Sequence, residues 1–201
     1  MAVIDRDKKE IQVKIVYYGP GRSGKTSNLE YIFEKYKDRV TSKIAIINTL
    51  DDNTLFFDFF PLEIGKMGGY DVRIQFYTVP GQVKYNATRK LVLRGADGVV
   101  FVADSMVVRR EKNILSFNSL VENLVSYKRD ITQLPLVFQY NKRDLHEAGI
   151  PVLPIETLEK DLNSQLKAPF FEASVTKGIN VIPTMKKIVA LALASLKKRE
   201  K

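Results

Sequence analysis

Cysteine is absent from these 201 residues. That excludes disulfides, thiolate metal ligands and prenyl or palmitoyl anchors. No apolar run is long enough to span a bilayer. The opening Met1-Ala2-Val3-Ile4-Asp5-Arg6-Asp7 is too polar for a signal peptide, and its second residue is Ala2, where N-myristoylation needs glycine. The expectation is a cytoplasmic protein with no stable membrane anchor. Histidine occurs once, at His146, and reads as an exposed helix-start residue rather than a metal ligand or a base. No internal repeat, low-complexity tract or linker breaks the chain. One domain over residues 1–201 is expected, with a short basic tail at about 197–201.

Apolar residues make up 45% of the chain, enough for a full core. Lysine and arginine exceed the acids by 32 − 23 = +9. Such an excess could serve nucleic acid, anionic lipid or an acidic partner. Its one visible concentration is the tail Leu196-Lys197-Lys198-Arg199-Glu200-Lys201, so the rest is expected to be spread thinly. An aromatic-rich basic RNA motif is missing, and no nucleic-acid partner is expected.

Strand and helix signals alternate from end to end, which predicts an α/β fold with a largely parallel sheet. Strands are predicted at Ile11 to Tyr18, Ile44 to Asn48, Leu55 to Leu62, Tyr70 to Val79, Asp97 to Asp104, Leu134 to Tyr140 and Pro169 to Glu172. Helices are predicted at Lys25 to Tyr36, Arg109 to Tyr127, Ile155 to Leu166 and Ile179 to Leu196, the last with Pro183 in its first turn. Gly65-Lys66-Met67-Gly68-Gly69 reads as a hairpin turn, making its two strands antiparallel. Leu55 to Leu62 is apolar on both faces, which calls for cover by another element or a partner surface.

Gly19-Pro20-Gly21-Arg22-Ser23-Gly24-Lys25-Thr26 matches G-x-x-x-x-G-K-[ST] between a strand and a helix. Glycines let the backbone wrap phosphates with inward N–H groups, and the helix N-terminus adds its positive end. Gly19, Gly21, Ser23, Gly24, Lys25, Thr26 and Ser27 are the candidate phosphate-binding residues. Lys25 would reach the β- and γ-phosphates and Thr26 would offer a hydroxyl to Mg²⁺. Asn141-Lys142-Arg143-Asp144 follows a strand at the carboxyl edge of the sheet. There Asp144 can accept from guanine N1–H and the 2-amino group, Asn141 can donate to N7, and the Lys142 stem can cover the base. GTP and GDP are the ligands this implies. Ser174 and Val175, in Glu172-Ala173-Ser174-Val175, could contact guanine O6 or form a plain loop; local sequence leaves both open. In Thr78-Val79-Pro80-Gly81-Gln82, Gly81 would approach the γ-phosphate and Gln82 would orient the attacking water, against the alternative of a simple Pro-Gly turn.

In chain order, the phosphate loop, Thr54, Pro80-Gly81-Gln82, Asn141-Lys142-Arg143-Asp144 and Glu172-Ala173-Ser174-Val175 resemble the Ras-like small GTPases. The closer resemblance is to the branch named after the mutual gliding protein MglA. It is carried by Lys14-Ile15-Val16-Tyr17-Tyr18-Gly19, Thr54-Leu55-Phe56-Phe57-Asp58-Phe59, Ala87-Thr88-Arg89-Lys90-Leu91 and Gln139-Tyr140-Asn141-Lys142-Arg143-Asp144. The resemblance implies a P-loop NTPase fold with a Ras-like mixed sheet, mostly parallel with one antiparallel edge strand and helices on both faces. It implies Thr26 and Thr54 as Mg²⁺ ligands and Thr54 as the switch residue that meets the γ-phosphate. It implies slow intrinsic hydrolysis, a roadblock-type (MglB-like) activating dimer, polarity effectors, and enrichment at a cell pole. Two positions depart from the pattern. Thr78 stands where most Ras-like proteins have aspartate, and the MglA branch shares the threonine. Asn53 stands where the MglA branch has a finger arginine, and it cannot neutralise charge on the transferring phosphate. Arg22 and Arg89 lie close in the motifs, but neither holds that position. Competing readings are a GTP-holding scaffold with negligible turnover and a P-loop kinase; the guanine motif opposes the kinase.

Overall fold

Period-two alternation in the strand Glu10–Tyr18 divides the fold into two layers. Ile11, Val13, Ile15 and Tyr17 face one side of the sheet, while Val16 and Tyr18 face the other. The computed structural model describes residues 3–40, 59–82 and 85–199. The strands are β1 (Val3–Asp5), β2 (Glu10–Tyr18), β3 (Phe59–Met67), β4 (Tyr70–Thr78), β5 (Gly98–Asp104), β6 (Leu136–Asn141) and β7 (Phe170–Glu172). The α-helices are α1 (Lys25–Tyr36), α2 (Asn86–Leu93), α3 (Arg110–Val125), α4 (Ile155–Leu158) and α5 (Val181–Arg199).

The sheet order is β3-β4-β2-β5-β6-β7. Pairs from β4 through β7 are parallel, and β3 runs antiparallel to β4 at the edge. Leu29 and Ile32 of α1 and Val181, Met185 and Ile188 of α5 cover one face. Val92 and Leu93 of α2 and Leu120 and Leu124 of α3 cover the other. This is the mixed, mostly parallel sheet that the sequence pattern implies. Every residue of β5 and β6 is buried, which explains their near-continuous apolar runs. Gln139 is a buried polar residue within β6; its amide donates to Asn28 Oδ1 (3.0 Å) and Thr184 Oγ1 (3.3 Å), linking α1 to α5. β2 lies between β4 and β5, so the chain leaves the sheet in opposite directions on either side of its carboxyl end. Open α/β sheets bind ligands at such a switch point.

Several elements differ from expectation. The hairpin turn is Gly68-Gly69 alone, with φ of 59° and 86°, because Met67 still pairs with Tyr70. Gly65 instead follows a bulge, where the register shifts between Glu63 and Gly65. β1 is an additional antiparallel strand on β2, turned by Asp5, whose Oδ1 accepts from the N–H of Asp7 and Lys8. α2 is a helix that the sequence reading did not include. The helix expected over Ile155 to Leu166 is α-helical only to Leu158 and then opens into a π turn, Glu159–Asn163. There the Asn163 side chain bonds both the N–H and the carbonyl of Ala168, an alternative to the helical ladder. The strand expected at Ile44 to Asn48, and Asn53, Thr54, Phe56, Phe57 and Asp58, lie outside the described residues.

Ile188 is fully buried between α5 and Gly98 of β5, where an added Cβ would come within 3.0 Å of it. Ile188→Ala should lower stability by about 2–5 kcal/mol, read from the guanidinium midpoint. Lys187→Ala on the exposed face should stay within about 0.5 kcal/mol.

Candidate nucleotide site

The loop between β2 and α1 takes its shape from positions where a side chain does not fit. Gly24 has φ 98°, and a Cβ there would lie 2.3 Å from Asn141 Nδ2. Arg22 also sits at positive φ, 65°, a conformation uncommon for a residue with a Cβ. Lys25 is buried, and its ammonium donates to the carbonyls of Gly19 (3.0 Å) and Pro20 (2.7 Å), so the loop is folded around its own cation. Gly81 touches the same loop from the end of β4. A Cβ on Gly81 would stand 2.2 Å from the N and Cα of Gly21, so the two backbones are in direct contact.

These pieces wall one cleft of about 810 Å³. Gly21, Gly24, Lys25, Thr26, Ser27, Gly81 and Gln82 all line it, as the sequence predicts. Gly19 and Ser23 belong to the loop but do not line the cleft. Its far wall, which the sequence does not reveal, comes from Tyr85 and Arg89 of the α2 region and Arg109, Lys112 and Ser116 of the α3 region. Arg22, Lys25, Arg89, Arg109 and Lys112 all line the cleft, and among the described residues no aspartate or glutamate does. Part of the chain's basic character is thus gathered at this cleft.

Asn141, Lys142 and Asp144 at the end of β6, and Ser174 and Val175 after β7, are not among the residues that line the cleft. Asn141 braces the two regions: its Nδ2 donates to Ser23 O (2.8 Å) and its Oδ1 accepts from Val175 N–H (3.2 Å). Asp144 accepts from Thr176 Oγ1 at 3.1 Å. Partial burial works against its charged form, but hydrogen bonds from Ser174 and Thr176 and the nearby Lys177 outweigh it and hold the carboxyl below its usual range. Asp144 is thus poised as an ionised acceptor. Thr54 lies outside the described residues.

Asp104 and Arg109 join the two regions and were missed as site residues. Asp104 is fully buried at the end of β5. Its Oδ2 lies 2.7 Å from Lys142 Nζ and 3.5 Å from Arg109 Nε. Arg109 in turn donates from Nη2 to the carbonyl of Gly21. Asn113 holds the Asp104 backbone from both sides, accepting from its N–H (2.9 Å) and donating to its carbonyl (2.8 Å). The one sequence signal was a carboxylate closing an otherwise apolar strand.

Residues 14–177 match the Gtr1/RagA G protein conserved region. The chain is 46% identical over 198 residues to the mutual gliding-motility protein MglA of Myxococcus xanthus (strain DK1622), covering 98% of this chain and 99% of that one. The chain is an MglA-type small GTPase of the Ras-like family. Ras-related protein Rab-28 of Caenorhabditis elegans is 28% identical over 192 residues, 96% of this chain and 71% of that one. Ras-related protein Rab-3 of the same organism is 25% identical over 178 residues, 89% of this chain and 73% of that one. As an MglA-type GTPase the protein binds guanine nucleotide and hydrolyses GTP. Among the described residues no helix is long and apolar enough to cross a membrane.

Asp104→Asn should leave Lys142 and Arg109 without their shared counter-charge. A loss of about 3 kcal/mol in chemical denaturation and a clear fall in GDP affinity are expected. Unchanged GDP affinity in the folded variant would show that the tie between the regions is not needed for binding.

Proposed function

We propose that this protein is a GTP-dependent switch in cell polarity or motility, with Gln82 orienting the attacking water. The observation that carries the reading is the cleft in which Lys25, Thr26, Gly81 and Gln82 meet. Phosphate contacts are assigned to Gly19, Gly21, Ser23, Gly24, Lys25, Thr26 and Ser27, with Gly81 and Thr54 reaching the γ-phosphate. Base contacts are assigned to Asn141, Lys142, Asp144, Ser174 and Val175. The gliding-motility name of the relative supports the cellular role.

Among the described residues the cleft wall holds the Thr26 hydroxyl and no carboxylate, and no three acids or histidines cluster. That donor set fits Mg²⁺, which keeps waters and binds largely through substrate phosphates. Thr26 would hold it, with Thr54, and it would supply charge neutralisation on the phosphates. In hydrolysis, water forms a bond to the γ-phosphorus as the bond to the β–γ bridging oxygen breaks. The water's proton leaves with orthophosphate, and GDP stays. Lys25 meets part of the developing charge, and Asn53 meets none of it, so slow intrinsic turnover is expected. A roadblock-type dimer would accelerate it by positioning Gln82. The protein is assigned to the cytoplasm as one small-GTPase domain.

Two measurements test these roles. Asp144→Asn should weaken guanine nucleotide binding and favour xanthine nucleotides, because it replaces an acceptor-only group with a mixed one; comparable ATP and GTP affinities in the parent would sink the base assignment. Gln82→Ala should nearly abolish single-turnover GTP cleavage, with and without the partner, at unchanged GTP affinity. Parent-like cleavage in that variant would remove Gln82 from the mechanism, and no cleavage under any condition would favour the scaffold.

A further inference from the structure

Among the described residues, the far wall of the cleft holds a cation with no anion. Arg89 of α2 is only 1% exposed, although it is among the largest buried side chains. Its Nε has no hydrogen-bond partner, and among the described residues no carboxylate pairs with its guanidinium. The face of the Tyr18 ring lies 5.9 Å from the guanidinium carbon. Across the cleft, Ser116 of α3 is 5% exposed and its Oγ also lacks a partner. Lys112 and Ser116 are four residues apart, which places them on one side of α3, toward the cleft they line, and Arg109 immediately precedes the helix.

Arg109 is partly neutralised by Asp104, and the Lys25 ammonium is held by loop carbonyls. Among the described residues Arg89 Nε and Ser116 Oγ have no such compensation. Burying a charge without a counter-charge is costly, as is burying a hydroxyl without a hydrogen bond. Both costs are relieved by one small oxyanion placed between α2 and α3, with Lys112 at its open side. The recess is continuous with the wall formed by Lys25, Gly81 and Gln82.

We propose that the recess between α2 and α3 is a second anion site, built by Arg89, Ser116 and Lys112, that takes orthophosphate as it leaves the phosphate loop. This rests on the GTP hydrolysis reading given above and adds a separate binding step after bond cleavage. An arginine fork and a hydroxyl donor suit a tetrahedral oxyanion. Held phosphate would delay its own release and keep the cleft filled after cleavage.

The test uses the full chain loaded with GDP and titrated with inorganic phosphate against chloride at equal ionic strength. Thermal unfolding should shift upward saturably in the parent. Ser116→Ala should weaken the phosphate response about tenfold, the loss of one hydrogen bond to a charged group. Ser116→Asp should abolish the response and raise the unfolding temperature without phosphate, because the new carboxylate supplies the missing partner of Arg89. Arg89→Met should also abolish the response. In single-turnover cleavage, free phosphate should lag behind bond cleavage in the parent and appear with it in Ser116→Asp. GDP occupancy is read separately by absorbance. GDP bound with no phosphate response overturns the recess; no GDP bound overturns the nucleotide reading instead. An equal phosphate response in the parent and Ser116→Asp places the anion elsewhere and overturns the proposal even if Arg89→Met fails to fold.

Discussion

One buried carboxylate ties the site together. Asp104 has no exposed surface and carries two cations from different parts of the chain, Lys142 and Arg109. A buried acid is tolerable only if it is paired and hydrogen-bonded, and Asp104 is both: Met106 N–H donates to its Oδ1 and Asn113 clamps its backbone. The Lys142 side of this cluster belongs to the base-recognition motif. The Arg109 side reaches the carbonyl of Gly21 in the phosphate loop. The two motifs are held in fixed relation by a group that belongs to neither. Asn141 provides a second brace through Ser23.

The sheet makes this arrangement possible. β5 and β6 are parallel neighbours in register from Val99 with Leu136 to Asp104 with Asn141. Asp104 and Asn141 therefore stand side by side at the same carboxyl edge as the end of β2. Side chains that leave a parallel sheet at one edge are offered to one crevice, so the order β4-β2-β5-β6 collects the phosphate loop, Asp104 and the base motif without long loops.

What was legible in the sequence follows from how local the cause is. The phosphate loop could be read because its turn demands glycine at defined positions, and Gly24 shows why: a Cβ would strike Asn141. β5 could be read from its apolar run and α1 from its spacing, and α1 runs from Lys25 to Tyr36 as expected. Asp104 and Arg109 could not be identified, because their partners Lys142 and Gly21 lie 38 and 88 positions from them. The π turn at Glu159–Asn163 was hidden for a related reason. Its cause is a side chain reaching Ala168, not a break in apolar periodicity. The hairpin was placed too broadly because Gly65 and Gly68-Gly69 carry the same sequence signal, while only the second pair turns the chain and the first follows a bulge.

The contact between Gly81 and Gly21 connects these static features to a switch. No side chain separates the two backbones, and a Cβ on Gly81 would overlap Gly21. A displacement of either strand end is therefore passed to the other with little slack, since packed interiors do not compress. Gln82 follows Gly81 directly, and α2 begins only at Asn86. A change at the phosphate loop that moves Gly81 must move the attached Gln82 and bear on α2, which carries Arg89. On the opposite side, Arg109 fixes Gly21 to Asp104 and hence to the rigid end of β5. The loop is thus anchored on its β5 side and in bare backbone contact on its β4 side.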